Sequence, residues 1–505
     1  MDDGPTFATP RATKGAQRPA LDLLSQRLTD TGNAARFVAA VGQDFRHVHP
    51  WGWMSWRGNR WAQDTLGQSV EACKDVVDRA AAQVRVKFAI ELRLPQRDPL
   101  RAFPDELLRH FRQSESVGKL KAMRELAQSD PAVAETVEAF DAKPYLVNTK
   151  TKTIDLKTGK SWPARREDLL TVAAAHDPAD EPFHESDWAL FLQTILPDAE
   201  TRAYVQRAIG CSLIGEQRDH VVFLAYGSGG NGKGTLFRAI DNAVGAYYTT
   251  IPASMLIDRP QQAHAAQVAD LMGKRLVVSS EIGKGQKFDE AKVKELSGGD
   301  RIKAQFMRQD WFSFKPTHTL WICCNDKPRI TGTDKGIWRR MRLIPFTAQI
   351  SAEQEDHDLD SKLLANAGII LQWCIDGAIA YMRDGLGACP EVAAATAEYR
   401  ADEDMMGLAL SEIGEFGPDK RCARLDMRDA LTAWYRAAGM AFIPIDKTIK
   451  TDFITRGIVP HRLTDSTPWD WRGIDLRPEV LAEVREARER KERQKRHAES
   501  WHDRG

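Results

Sequence analysis

The stretch Val221 to Val244, VVFLAYGSGGNGKGTLFRAIDNAV, restricts the chain more than any other. A continuous apolar run, Val221 to Tyr226, breaks into Gly227-Ser228-Gly229-Gly230-Asn231-Gly232-Lys233-Gly234-Thr235, after which Leu236, Phe237, Ile240 and Val244 recur at helical spacing. The order is strand, glycine loop, helix. Phosphate oxygens need several backbone N–H groups aimed at one point, and glycines let the main chain curl that closely. A helix N-terminus adds a partial positive charge and Lys233 a full one. The stretch therefore reads as a nucleoside triphosphate cradle made of Gly227, Gly229, Gly230, Asn231, Gly232, Lys233, Gly234 and Thr235. The usual loop places Ser or Thr directly after the lysine to hold magnesium. Here Gly234 stands there, and the hydroxyl comes one residue later, at Thr235. The plain alternative is a glycine-rich turn before an ordinary helix.

At 505 residues the chain has room for about three domains. Its 71 Lys and Arg balance 71 Asp and Glu, so no global basic field marks it for nucleic acid and any polyanion site must be local. Seven scattered cysteines without a CxxC pair suit a reducing, cytoplasmic compartment and give no metal-like spacing. No apolar run approaches the ~20 residues of a membrane span, and the N-terminus has no apolar signal core, so a soluble protein with no membrane partner is expected.

Residues 1–20, rich in Pro and small polar residues, read as a flexible lead-in. Residues 21–200 read as an α+β domain. Trp51, Trp53, Trp56 and Trp61 lie on two short strands turning at Arg57-Gly58-Asn59 and suit a compact aromatic core better than base stacking. Residues 67–140 form a helical block. Pro144 to Gly159 reads as a hairpin, and Trp188 to Leu196 and Glu200 to Leu213 as helices.

Past the cradle, Leu276-Val277-Val278 reads as a strand leading to Ser279-Ser280-Glu281, an acid placed to polarise a water beside triphosphate. Ser280 sits where an aspartate commonly precedes the glutamate. Ile282 to Leu296 is helical in pattern, and Arg301 to Met307 with Trp311 to Phe314 alternates as a hairpin from which Lys303, Arg308 and Lys315 project. Leu320 to Cys324 ends in Asn325, placed to orient the attacking water. Arg339, Arg340 and Arg342 open a last strand, where arginine suits charge on a transferring phosphoryl group.

GSGGNGKGT, RLVVSSEIGKG, ELSGGDRIKAQ, WICCNDKP and GIWRRMRLIPF, in that order and spacing, resemble the helicase domain of the phage and plasmid primase family, the poxvirus-type branch of superfamily III helicases within the AAA+ class. FVAAVGQDFRHVHPWGWMSWRGNRWAQD, KPYLVNTKTKTIDLKTG and YVQRAIGCSLIGE look like that family's region preceding the helicase, so the resemblance spans roughly residues 35–475. It implies an α/β AAA+ P-loop core with a central, mostly parallel sheet, a mainly helical N-terminal domain and a small C-terminal winged-helix-like domain. Lys233 and the loop glycines would hold ATP, with Mg2+ near Thr235 and Glu281. Glu281 would be the catalytic acid, Asn325 the γ-phosphate sensor, and Arg339 or Arg340 the finger inserted into a neighbouring subunit's site. Asp300 to Lys315 would line a central pore, with Lys303 and Arg308 on DNA phosphate. Gln305 and Thr319 replace a frequent arginine and lysine, which leaves that pore less basic.

Residues 201–350 are then the ATPase core, 351–415 a helical extension, 416–478 the winged-helix-like domain and 479–505 a charged, solvated helical tail. In the winged-helix-like domain, helices at Leu425 to Ala438 and Lys447 to Arg456 precede two strands, and Lys447, Lys450 and Arg456 are candidates for DNA backbone contacts. No primase acidic triad is found upstream, so any primase is expected on another polypeptide. The leading expectation is an ATP-dependent helicase translocating on single-stranded DNA as a hexameric ring in phage, prophage or plasmid replication, in the host cytoplasm. A nucleotide-switched initiator or helicase loader with little turnover is the alternative, and a machine acting on protein is a third.

Overall fold

The computed structural model describes residues 22–91, 104–258, 265–279, 281–305, 311–330, 335–351, 356–439, 443–462 and 469–502. The chain opens with α1 (Asp30–Val41), whose first turn is capped by the Thr29 hydroxyl accepting from the Gly32 N–H. An antiparallel meander, β1 (Phe45–Val48), β2 (Gly52–Trp56) and β3 (Trp61–Gln63), follows. Then come α2 (Gln68–Glu91), α3 (Pro104–Ser114), α4 (Val117–Ala127) and β4 (Ala134–Glu135), the last running parallel to β1. Trp53 and Trp61 are buried, and Phe37 meets Trp53 edge-on at 5.6 Å, so the tryptophan-rich segment builds core. The expected helical block ends at Ala127 rather than near 140. Pro131 cannot continue a helix, and pairing with β1 claims the backbone beyond it.

A second small sheet, β5 (Leu146–Asn148), β6 (Lys152–Asp155) and β7 (Ser161–Pro163), leads into α5 (Asp187–Ile195) and α6 (Ala199–Leu213). Ser186 and Asp198 cap these helices by accepting from the Ala189 and Thr201 N–H groups. Val147, Ile154, Trp188 and Ile195 share one apolar core with Phe223, Leu236 and Trp321 of the central layer, so packing does not divide near residue 200.

That central layer comprises β8 (Val222–Tyr226), α7 (Lys233–Val244), β9 (Tyr248–Ile251), α8 (Ala265–Ala269), β10 (Leu276–Ser279), α9 (Glu290–Leu296), β11 (Ile302–Gln305), β12 (Trp311–Phe314), β13 (Thr319–Cys324), α10 (Lys335–Trp338) and β14 (Met341–Pro345). Five strands form an all-parallel sheet in the order β14-β8-β13-β10-β9. A parallel sheet covered on both faces needs strands apolar throughout, and VFLAY, LVVS and TLWICC meet that demand. Trp321 stacks on Phe223 at 4.5 Å and its indole N–H donates to the Ser212 hydroxyl at 2.8 Å, which fixes β13 against β8 and α6. Buried Arg275, just before β10, donates to the carbonyls of Leu213 at 2.6 Å and Leu146 at 2.7 Å and lies 4.7 Å from the Tyr247 ring centroid. One guanidinium thus ties the small sheet and α6 to the base of the central one.

The helix expected from Ile282 shrinks to Glu290–Leu296. Gly285 sits at φ 72°, and Phe288 bridges to Ile257 while Lys287 bridges to Arg329, so residues 282–289 form a strapped loop.

The extension contains α11 (Leu359–Ala365), α12 (Ala367–Asp384), α13 (Pro390–Glu403) and α14 (Met405–Ile413). Helix α13 covers the open edge of β14, where the Thr396 hydroxyl accepts from the Leu343 N–H at 2.9 Å. Among the described residues no single helix is long and apolar enough to cross a membrane. The bent pair α11 and α12 passes on length and composition together, and ten residues of α12 are buried in the protein.

The C-terminal module is β15 (Gly414–Ala423), α15 (Arg424–Ala437), α16 (Asp446–Thr455), β16 (Val459–His461), β17 (Asp470–Leu476) and α17 (Pro478–His502). Its sheet has three strands, β15-β17-β16, where two were expected. GEFGPDKRCA is polar, contains Pro418, and breaks register between Phe416 and Arg421, so no alternating pattern betrays it. Helix α17 is not a free solvated tail: Val484 is buried, and Arg488 pairs with Asp426 at 2.8 Å and with Asp429 at 2.5 Å.

Helices α6 and α12 cross where Gly210 meets Ala378, and a Cβ built on Gly210 lies 2.0 Å from the Ala378 nitrogen. Gly210→Ala should therefore lower stability by about 3 kcal/mol in urea denaturation. Gly118→Ala, with nothing within 4 Å of the new Cβ, should raise it by about 0.5 kcal/mol.

Candidate functional site

The glycine loop leaves the carboxyl end of β8 and enters α7 at Gly232, with Gly229, Gly230 and Gly232 at φ 95°, 62° and 79°, values that side-chain-bearing residues rarely adopt. A Cβ on Gly227 would lie 2.0 Å from Asn231 Nδ2 and 2.4 Å from the Phe346 carbonyl oxygen, whereas Cβ atoms on Gly229 and Gly230 would meet nothing within 4 Å. The loop is thus tight at its root and open at its crest. The first-turn N–H groups of a helix lack intrahelical partners, and those of α7 follow directly on this open crest, an arrangement suited to phosphate oxygens.

Lys233 is only 7% exposed, and its ammonium donates to the Gly227 carbonyl at 2.9 Å, Asn231 Oδ1 at 2.8 Å and Asn325 Oδ1 at 3.2 Å. Asn231 Nδ2 donates to the Phe346 carbonyl at 2.9 Å, which turns its oxygen toward the lysine. Asn325 in turn donates through Nδ2 to Glu281. A single hydrogen-bonded chain therefore links the glycine loop after β8, the acid after β10 and the amide after β13, three adjacent strands, at their shared carboxyl edge. Burial pulls the Lys233 pKa below lysine's ordinary value, and the charge of Glu281 offsets part of that. Triphosphate oxygens fit this set. They would replace neutral carbonyl and amide oxygens as partners of a desolvated ammonium.

Three predicted site residues, Lys233, Asn325 and Glu281, come together, and Thr235 does not join them. Its hydroxyl accepts from Arg238 at 3.0 Å, and that guanidinium also pairs with Asp360 at 3.1 Å, on the flank facing α11. One residue along a helix turns the side chain by about 100°, and the shift from 234 to 235 accounts for this direction. Ser280 lies outside the described residues. Among the described residues no group of three His, Cys, Asp or Glu side chains converges on a metal position. Burial pushes the Cys323 and Cys324 thiols behind the site up to about 12, which keeps them neutral.

Arg339 and Arg340 sit at the other edge of the sheet, before Met341, which pairs with Val222 at the start of β8. Arg339 is exposed, and among the described residues its guanidinium meets no hydrogen-bond or ion-pair partner. It lines a cleft of about 890 Å³ together with Tyr204, Arg342, Ala393 and Arg400. Arg340 is half-buried and donates to the Ser297 carbonyl at 3.2 Å and the His220 carbonyl at 3.4 Å. It thereby staples the turn before β14 to the entry of β8 and to the end of α9, from which the β11–β12 hairpin departs. Sequence patterning gave no sign of this division of labour between neighbouring arginines. Nor did it single out the Phe346 carbonyl, because a main-chain oxygen leaves no trace in residue type.

Lys303 is exposed on β11, and Arg308 lies outside the described residues. Lys447 and Lys450 are exposed on α16, with the Lys450 ammonium 5.5 Å from the Trp469 ring centroid. Arg456 is not available for DNA as expected: it pairs with both Asp404 and Asp452, the latter at 2.6 Å, and so joins α16 to the start of α14.

These features define a mixed α/β protein with a glycine-loop site at the carboxyl edge of a parallel sheet. Residues 34–197 match the family described as D5 N terminal like, and residues 225–340 match a family of unknown function. The "Putative helicase L207/L206" of Acanthamoeba polyphaga mimivirus is 26% identical over 43% of this chain and 23% of its own length. The "Putative helicase 022R" of Frog virus 3 is 24% identical over 49% of this chain and 27% of its own. The "Putative primase C962R" of African swine fever virus is 24% identical over 41% and 22%. The matched region thus spans about a quarter of each relative. A solved apo structure of the NrS-1 C terminal region aligns over 84% of this chain and 86% of its own at 14% identity, with a TM-score of 0.44. The D5 N terminal like match and the viral relatives named as putative helicases and primases support a D5-like primase-helicase assignment.

His318 is fully buried before β13, and among the described residues neither ring nitrogen meets a partner within hydrogen-bonding geometry. Burial holds its pKa down to about 4, only partly offset by the Leu296 carbonyl. Because the unfolded chain takes up this proton near pH 6.5 and the native one near 4, the contribution is intact above pH 6.5 and lost as pH falls toward 4. Between pH 7.5 and 5, urea denaturation should register about 2 kcal/mol less loss in His318→Gln than in the parent.

Proposed function

We propose that the chain is an ATP-driven DNA helicase of the poxvirus-type superfamily III, AAA+ class, acting as a six-subunit ring in phage, prophage or plasmid replication. The observation that carries this reading is the separation of Arg339 from its own cradle. The five residues of β14, from Met341 opposite Val222 to Pro345 opposite Tyr226, intervene, a rise of about 13 Å at ~3.3 Å per residue. Farther from the phosphates than its side chain extends, and without a partner among the described residues, Arg339 suits the cradle of an adjoining copy. The strand order, the cradle position and the names of the relatives support the same class.

In this reading Lys233 and the loop N–H groups hold the β- and γ-phosphates, Asn325 orients the attacking water and Glu281 accepts its proton. The neighbour's Arg339 stabilises charge on the transferring phosphoryl group, while Arg340 positions it from behind. Glu281, and Thr235 if its hydroxyl left Arg238, would hold magnesium, which would supply charge neutralisation on the phosphates. The β11–β12 hairpin, with Lys303 and Arg308, grips one DNA strand, and the winged-helix-like C-terminal module presents Lys447 and Lys450 to duplex backbone. A nucleotide-switched initiator or loader is the second reading, favoured by the engagement of the Thr235 hydroxyl with Arg238.

Forked-duplex unwinding and ATP hydrolysis separate the two. Strand separation should require hydrolysable ATP, and Lys233→Ala should abolish both activities. Arg339→Ala should lower kcat by about 100-fold or more with nucleotide affinity little changed. Equal strand separation with a non-hydrolysable analogue would favour the switch, and DNA-stimulated hydrolysis surviving in Lys233→Ala would sink the reading.

A further inference from the structure

We propose that Trp311 is a base-stacking platform for unpaired DNA, an aromatic contact in addition to any phosphate contacts of the hairpin; this rests on the reading of the β11–β12 hairpin as the strand-gripping element. The register opposes Ile302 to Phe314, Lys303 to Ser313, Ala304 to Phe312 and Gln305 to Trp311. Directly opposed residues of an antiparallel pair share a face. One face therefore carries Ile302, Ala304, Phe312 and Phe314, and its members Ile302, Ala304 and Phe314 are buried in the core beneath. The other carries Lys303, Gln305, Trp311 and Ser313, and on it the Trp311 side chain stands 61% exposed.

That exposure is unusual within this protein. Of its fourteen tryptophans, only Trp311 and Trp469 are exposed among the described residues. Trp469 already has Lys450 and Arg462 against its ring, at 5.5 and 5.7 Å. Among the described residues the Trp311 side chain has no cation, ring or hydrogen-bond contact, which leaves the exposed indole available to a flat ligand. Charge selects which ligand. The segment 301–315 holds four cations against one acid. Arg301 is spent on the Ser313 carbonyl at 2.6 Å, and Lys315 lies 3.8 Å from Glu216. Lys303, diagonal to Trp311 on the same face, has no ion pair among the described residues. An indole beside a free ammonium meets both parts of a nucleotide, the base by stacking and the phosphate by charge. A contact between copies of this chain would call for a wider apolar patch than one indole among Lys303, Gln305 and Ser313.

The test compares binding of an oligothymidine and of an abasic oligonucleotide of equal length, across a salt series, to the full chain and to Trp311→Ala, Trp311→Phe and Lys303→Ala. Trp311→Ala should weaken oligothymidine binding about tenfold or more with an unchanged salt slope, and should leave abasic binding unaltered. Trp311→Phe should recover most of the loss, and Lys303→Ala should weaken both ligands and reduce the slope by about one. Equal oligothymidine affinity in Trp311→Ala and the parent would overturn the stacking assignment while leaving the helicase reading standing. So would an equal loss on the abasic strand, or a change in particle mass that traces the loss to contacts between copies. A parent protein that binds neither oligonucleotide would remove the helicase reading and this inference together.

Discussion

A buried ammonium holds the functional half of this molecule in register. Lys233 reaches the Gly227 carbonyl, Asn231 and Asn325, and through Asn325 it reaches Glu281. Desolvation makes an unpartnered charge there expensive, so each oxygen around it is held by the fold. Asn231 is turned by the Phe346 carbonyl, Asn325 is set by β13, and β13 is fixed by the stacking of Trp321 on Phe223. The glycine loop closes on this charge only because Gly227 has no Cβ to collide with Asn231. The loop after Asn325 is itself anchored, since the Tyr399 hydroxyl donates to the Pro328 carbonyl and Glu403 accepts from the Ile330 N–H at 2.9 Å.

The parallel sheet separates two tasks by the length of its strands. One edge carries the cradle; the opposite edge carries Arg339 and the root of the hairpin, with Arg340 between them at the Ser297 carbonyl. In the proposed ring, an arginine that senses a neighbour's phosphate is thus covalently adjacent to the residue that braces the DNA-facing hairpin. Helix α13 spans from the edge of β14 to Asp404, and Arg456 continues that line into the C-terminal module. In that ring, nucleotide state, hairpin position and the C-terminal module would be joined by short, polar, geometrically specific links.

Sequence alone made the central layer legible because parallel strands must be apolar throughout and because a phosphate loop needs glycine at positive φ. Both demands leave marks in residue type. The hairpin was legible for a similar reason, since alternation along β11 and β12 follows its two faces. Strand β15 was not, because a polar edge strand broken around Pro418 has no period to find. The loop at 282–289 carried helical spacing that its glycines and cross-bridges overrule. Arg456 looked like any surface cation until tertiary contact placed it between two aspartates, and Arg339 and Arg340, identical in type, were separable only by what surrounds each.

The central claim is that a working site is assembled from two copies of the chain. The most direct measurement is ATP turnover in a mixture of two inactive variants, Lys233→Ala and Arg339→Ala, after their co-assembly is established by mass. The account predicts that the mixture recovers DNA-stimulated hydrolysis that neither variant has alone, because some interfaces pair an intact cradle with an intact arginine. A co-assembled mixture as inactive as its components would contradict it.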